Sequence, residues 1–175
     1  SAIEALNLPA RLTVIYQEAF YYMKNLKTVT FGSAEKPSRL TTIGEAAFKS
    51  TGLASVTIPK SVRNTDSAIG IGKEAFAWAN ISTLIFEAGG SMETAPLTIG
   101  ESAFADIKAT TVTFPARLAF FTDANGNVTA PLANGKDVFS GASSNNVKFY
   151  HVTGDGKSAY VSEDGILYNA DKTEI

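Results

Sequence analysis

Ile-Gly-x-x-Ala-Phe returns along this chain at a fixed interval, and that interval dictates what the chain can fold into. The copies are Ile15-Tyr-Gln-Glu-Ala19-Phe20, Ile43-Gly44-Glu-Ala-Ala47-Phe48, Ile71-Gly72-Lys-Glu-Ala75-Phe76 and Ile99-Gly100-Glu-Ser-Ala103-Phe104. Their phenylalanines stand 28 residues apart each time. A weaker fifth copy is Asn134-Gly135-Lys-Asp-Val138-Phe139. Self-similarity on this scale means stacked coils, because one such unit cannot bury its apolar face alone.

A second signal alternates with the first. It reads Leu26-Lys-Thr-Val29-Thr-Phe31, Leu53-Ala-Ser-Val56-Thr-Ile58, Ile81-Ser-Thr-Leu84-Ile-Phe86 and Ala109-Thr-Thr-Val112-Thr-Phe114. Leu6-Asn-Leu8-Pro9 opens the series as the tail of an earlier repeat, and Asn145-Asn-Val147-Lys-Phe149 closes it. The period of two and the β-branched and aromatic content predict short, half-buried strands. Pro9, Pro59 and Pro115 follow three of them, where proline ends a strand without removing a ladder hydrogen bond. One coil is then a strand, a turn, re-entry at Ile-Gly, and a short helical or irregular return at Ala-Phe. Stacking places Phe20, Phe48, Phe76, Phe104 and Phe139 in a single interior ladder. Gly44, Gly72 and Gly100 are expected to adopt a backbone conformation that a Cβ resists.

Strand-to-strand intervals grow from 23 residues (Leu8 to Phe31) through 27, 28 and 28 to 35 (Phe114 to Phe149). The surplus is polar and loop-like at 32–38, 64–70 and 89–96, so loops are added to a smaller basic unit on one face. The largest insertion spans 119–131, where Asn125-Gly126 between Phe120, Phe121 and Val128 predicts a hairpin. From Thr153 the repeat stops, and the Asp164-Gly165 turn predicts a second hairpin. The expected division is a solenoid over 1–152 and, over 153–175, a terminal cap or the start of another module.

Composition narrows the function. Fifteen basic and seventeen acidic residues give a net charge of −2, which argues against nucleic acid as a partner. No apolar run approaches the length of a membrane span, so no direct membrane insertion is expected. Cysteine is absent and His151 is the single histidine, which removes thiolate chemistry and most metal and general-base options. No cofactor is implied, and an enzyme is not expected. Asp123-x-Asn125-x-Asn127 opens like a calcium loop, but Val128 and Asn134 stand where that template needs glycine and glutamate, so a hairpin turn is the better reading. Glu45, Glu74 and Glu101 recur with the repeat and read as solvated residues at the start of a helical turn.

Ile-Gly-x-x-Ala-Phe followed by Leu-x-x-Val-x-Ile-Pro resembles the BspA-like class of bacterial leucine-rich repeats, over roughly residues 3 to 150. The class often carries cysteine three residues after the phenylalanine, where this chain has Met23, Thr51, Ala79 and Ile107. The resemblance implies a mainly β, α/β-type repeat fold: a right-handed leucine-rich-repeat solenoid with one curved parallel sheet, short strands, irregular or short-helical returns, and a C-terminal hairpin. It implies a piece of a larger bacterial protein, secreted or on the cell surface, whose signal and anchor lie elsewhere. Adhesion to a host matrix glycoprotein, to another protein or to a glycan follows from the resemblance alone, with a structural spacer as the alternative. The class supplies no catalytic residues.

In such a solenoid the residues flanking each central strand position face outward. They form two columns: Thr28, Ser55, Thr83, Thr111 and Asn146, then Thr30, Thr57, Ile85, Thr113 and Lys148. Five strands make a surface roughly 20 Å across, wide enough for a peptide or glycan. Threonine also suits exposed strand positions for reasons of β-propensity alone. Tyr21, Tyr22 and Trp78 lie one or two positions past the ladder phenylalanines and are candidate exposed aromatics, though packing against an inserted loop would also account for them. The expected state is a monomer. An uncapped end strand at residues 3–8 would expose core or sheet edge, so a preceding cap or end-to-end contacts are expected there.

Overall fold

Alternating apolar residues turn inward and lay down one short strand per coil. The computed structural model describes residues 2–91, 93–122, 128–129, 138–139, 149–152 and 160–173. Strands β1 (Ala5–Leu8), β3 (Thr28–Phe31), β5 (Ser55–Ile58), β6 (Thr83–Phe86), β8 (Thr111–Phe114) and β11 (Phe149–Val152) come from six successive coils. Parallel pairing joins β1 to β3, and β5, β6, β8 and β11 in that order. Val29, Val56, Leu84 and Val112 point into the core while their flanking residues are exposed.

The chain re-enters the core as a second parallel ladder, which the sequence reading of one sheet did not contain. β2 (Val14–Ile15) pairs with β4 (Thr42–Ile43), Ile71 bridges Ile43 and Ile99, and β7 (Leu97–Ile99) pairs with β9 (Leu118–Thr122). The re-entry isoleucine of each coil is extended just long enough to bond its neighbours. β10 (Val128–Thr129) runs antiparallel to β9, as the Asn-Gly hairpin predicts. Asp123, Asn125 and Asn127 lie outside the described residues.

The returns are successions of turns; among the described residues no helix forms. Two non-glycine residues per return have positive φ: Glu18 and Tyr22, Ala46 and Ser50, Glu74 and Trp78, Ser102 and Asp106, all between 51° and 59°. This alternation aims every second N–H at the next coil. Glu18, Phe20 and Tyr22 donate to the carbonyls of Glu45, Ala47 and Lys49, and the same triplet recurs one coil on. The sequence expectation for the glycines is corrected here. Gly44, Gly72 and Gly100 have no positive φ. They are needed because a Cβ would sit 2.6–2.7 Å from a backbone nitrogen of the preceding coil. In the first coil that position is Tyr16, whose side chain is 77% exposed.

Stacking at this separation produces the phenylalanine ladder. Centroid distances are 5.0 Å for Phe20–Phe48, 5.1 Å for Phe48–Phe76, 5.3 Å for Phe76–Phe104 and 5.8 Å for Phe104–Phe139. Rings from the strand ends, Phe31 and Phe86, meet Phe48 and Phe104 edge-on. Phe20, in the first coil, is only partly buried.

The last strand differs from the sequence reading. Phe149 pairs with Thr111 and Val152 with Phe114, a shift of three positions from the alignment of Phe149 with Phe114. An odd shift exchanges the two faces of a strand. The long insertion before this strand leaves its register unspecified by period, so core contact decides, and Val152 packs against the core.

β12 (Tyr160–Glu163) and β13 (Ile166–Asn169) form the antiparallel hairpin predicted around Asp164-Gly165. Tyr160 and Leu167 join the same core cluster as the ladder, and the Val152 N–H donates to Ser162 Oγ at 3.0 Å. Burial pushes the Tyr160 phenol up to about 12. Its neutral form therefore stabilises the fold fully below the ordinary value of 10.0, and that contribution is lost as pH rises from there to about 12. In an alkaline absorbance titration, one of the six tyrosines should ionise late, and Tyr160→Phe should remove that step. A wild-type titration complete well below pH 12 would contradict this burial.

Candidate binding surface

The outward strand positions form a ruled face. Thr28, Thr30, Ser55, Thr57, Thr83, Ile85, Thr111 and Thr113 are all exposed. Register aligns Ser55 with Thr83, and Thr57 with Ile85 and Thr113 in one row. At the N-terminal side Ala5 opposes Thr28 and Asn7 opposes Thr30, whose Oγ1 donates to Asn7 Oδ1 at 2.7 Å. Asn146 and Lys148 lie outside the described residues. The positions opposite Thr111 and Thr113 that the sequence assigned to them are occupied by Phe149 and His151. No Lys, Arg, Asp or Glu stands at any of these aligned positions. Ile85, 49% exposed between two threonines, is the apolar centre of the face.

The face is built mostly of β-branched side chains held in register by strand pairing. Its chemistry is mainly hydroxyl donors and acceptors, methyl groups and one isoleucine, with the Asn7 amide and the exposed His151 imidazole at its two ends. It can make hydrogen bonds and small apolar contacts, and it presents no charge that must be desolvated.

On the return side, charge is paired between coils. Lys49 Nζ lies 2.6 Å from Glu74 and Lys73 Nζ 3.1 Å from Glu101. The glutamates that the sequence suggested as solvated helix-start residues are thus, at 74 and 101, links between neighbouring coils. The Glu101 hydrogen bond holds Lys73 above the usual lysine range. Tyr21, Tyr22 and Trp78 are 48%, 56% and 44% exposed. Trp78 Nε1 donates to Asp106 Oδ2 at 2.5 Å, and Lys49 lies over the indole at 4.5 Å. The hydrogen bond from Trp78 thus reaches the next coil. Among the described residues no group of three His, Asp or Glu converges as a metal site, and no helix is long and apolar enough to cross a membrane.

A buried arginine was not legible in the sequence. Arg117 is fully buried, donating from Nη2 to the Pro59 carbonyl at 3.1 Å and from Nε to that of Lys60 at 3.4 Å. Burial pushes its guanidinium down to about 10, against a partial offset from Glu87.

The profile of the BspA type leucine rich repeat region matches residues 1–69 and 69–124 in six copies. The chain belongs to this family. No curated protein matches it by sequence. Among solved structures, the pneumococcal vaccine antigen PcpA is similar with a TM-score of 0.70 at 24% identity, over 97% of this chain and 35% of that one. A leucine rich cell surface protein from Faecalibacterium prausnitzii A2-165 gives a TM-score of 0.43 at 17% identity, over 95% of this chain and 51% of its own. The chain thus spans about a third of the length of PcpA, and the likeness to PcpA is one of fold. The leucine-rich-repeat solenoid that the sequence resembled is the fold observed.

Proposed function

We propose that this BspA-type domain is a non-catalytic binding module of a bacterial surface protein, acting as a monomer and recognising a protein or glycan through its sheet face. Residues 1–152 act as the recognition solenoid and 153–175 as its terminal cap. The observation that carries the reading is the uncharged row Thr57–Ile85–Thr113, aligned in register and exposed on three adjacent strands. A face of this kind joins an apolar centre to flanking hydroxyls, the anatomy of a small recognition patch. Surface location is an inference from the BspA-type repeat that the chain carries.

A screen against immobilised fibronectin and fibrinogen and a glycan array at physiological salt tests the proposal. A saturable hit that Thr57→Lys or Thr113→Lys abolishes, with the unfolding midpoint unchanged, is the expected result. Lysine at these exposed positions adds a charge beside the apolar centre of the patch while disturbing no core contact, so a loss of at least tenfold is expected. Equal affinity in both variants would remove the sheet face as the site. A blank from folded wild-type protein would favour a spacer role.

A further inference from the structure

The fold asks for a left-handed residue at the second position after each ladder phenylalanine, and in four coils these are Tyr22, Ser50, Trp78 and Asp106, with φ of 59°, 57°, 56° and 57°. Asp, Asn, Gly and small polar residues tolerate that conformation; a bulky aromatic there is strained. Ser50 and Asp106 follow the preference and the two aromatic residues do not. Burial does not compensate for the strain, since Tyr22 and Trp78 are 56% and 44% exposed. Strain retained at rings left this exposed points to a use outside folding.

The two rings line a cleft of about 400 Å³ together with Ser50, Thr51 and Gly52. They are two coils apart, about 10 Å at the spacing of adjacent strands. The indole is held in place by Asp106 and by the Lys49 ammonium over its face. Lys24 lies 4.4 Å from the Tyr22 ring centroid, and Lys27 also lines the cleft. Lys49 is neutralised by Glu74, whereas neither Lys24 nor Lys27 is within ion-pair distance of a described carboxylate. The cleft is therefore cationic on a chain whose net charge is −2.

We propose that this cleft, separate from the sheet face, binds an anionic polysaccharide. Sugar rings lay their C–H faces along Tyr22 and Trp78, their hydroxyls reach Ser50 and Asn80, and a carboxylate or sulfate pairs with Lys24 and Lys27. The cleft is lined by two aromatic rings, two lysines, Ser50 and Asn80, a mixture that suits a sugar ring with apolar C–H faces, a rim of hydroxyls and an acidic group better than a purely apolar peptide side chain. Immobilised rings and charge complementarity lower the ordering cost and speed the encounter.

Trp78 is the only tryptophan, so its fluorescence reports the site directly. The full chain is titrated with hyaluronan oligosaccharides, chondroitin sulfate, neutral dextran and polyglutamate. The expected result is a saturable change with one or both acidic saccharides that weakens as salt is raised and is absent with dextran. The double variant Lys24→Gln/Lys27→Gln should weaken it at least tenfold, and Tyr22→Ala, followed by calorimetry, should do the same. Thr57→Lys should leave it unchanged, which separates this site from the sheet face. No response to either acidic saccharide, an equal response to dextran, or unchanged affinity in the double variant would overturn the proposal. Binding of polyglutamate in preference to the saccharides would also overturn it, and would assign the cleft to an acidic peptide.

Discussion

Gly72→Ala is expected to destabilise the domain by about 3 kcal/mol, the upper end of what overpacking costs. A methyl group at this position would stand 2.7 Å from the Glu45 nitrogen and 2.9 Å from the Gly44 carbonyl carbon. These are backbone atoms of the preceding coil, so no side-chain rotamer can move them away. Relief requires the coils to separate, which stretches the Gly72 N–H to Ile43 carbonyl bond at 2.8 Å and loosens the ring stack beside it. The measurement is chemical denaturation of wild type and variant. Tyr16→Ala supplies the internal control: it changes the equivalent position in the first coil, where the side chain is 77% exposed, and should shift stability by no more than about 0.5 kcal/mol. A Gly72→Ala shift as small as the control would show that the coils are not held at this separation.

Phe76→Ala should cost about 3–5 kcal/mol, the range for truncating a buried phenylalanine. Phe76 is fully buried, with rings at 5.1 and 5.3 Å on its two sides at interplanar angles of 5° and 3°. The cavity opens in the middle of the ladder, where the coils above and below are pinned by backbone bonds and cannot collapse into it. Phe20→Ala removes the same side chain from the partly buried first rung and should cost clearly less. Equal losses at the two positions would mean that the ladder is not the axis of the core.

The period was fully readable because each coil solves the same burial problem with the same residues. Ile, Phe and the alternating strand segments recur at positions that stacking forces to be apolar, so the ladder and the outward threonines follow from counting. The reason for the glycines did not follow. A sequence can mark a position where a Cβ is excluded, but whether backbone torsion or a neighbouring coil excludes it depends on how closely the coils stack. The same spacing imposes the left-handed residues at Tyr22, Ser50, Trp78 and Asp106, whose side chains give no local sign of that conformation.

Two identical tetrapeptides mark where the sequence stops deciding. Pro9-Ala-Arg11-Leu12 and Pro115-Ala-Arg117-Leu118 both follow a strand, yet Arg11 is exposed and Arg117 is fully buried. Arg117 has the carbonyls of Pro59 and Lys60 from two coils earlier to accept its donors, and Gly90 lies against its side chain. Arg11 belongs to the first coil described, and no hydrogen bond from its guanidinium to a carbonyl two coils earlier accompanies it among the described residues. By itself the sequence determined the repeat, the strand positions, the interior phenylalanines and the outward hydroxyls, since those are set by periodic burial. The tertiary structure alone decided which arginine is buried, which register the last strand takes and which aromatics flank a cationic cleft, because each depends on residues brought together from coils far apart in the chain.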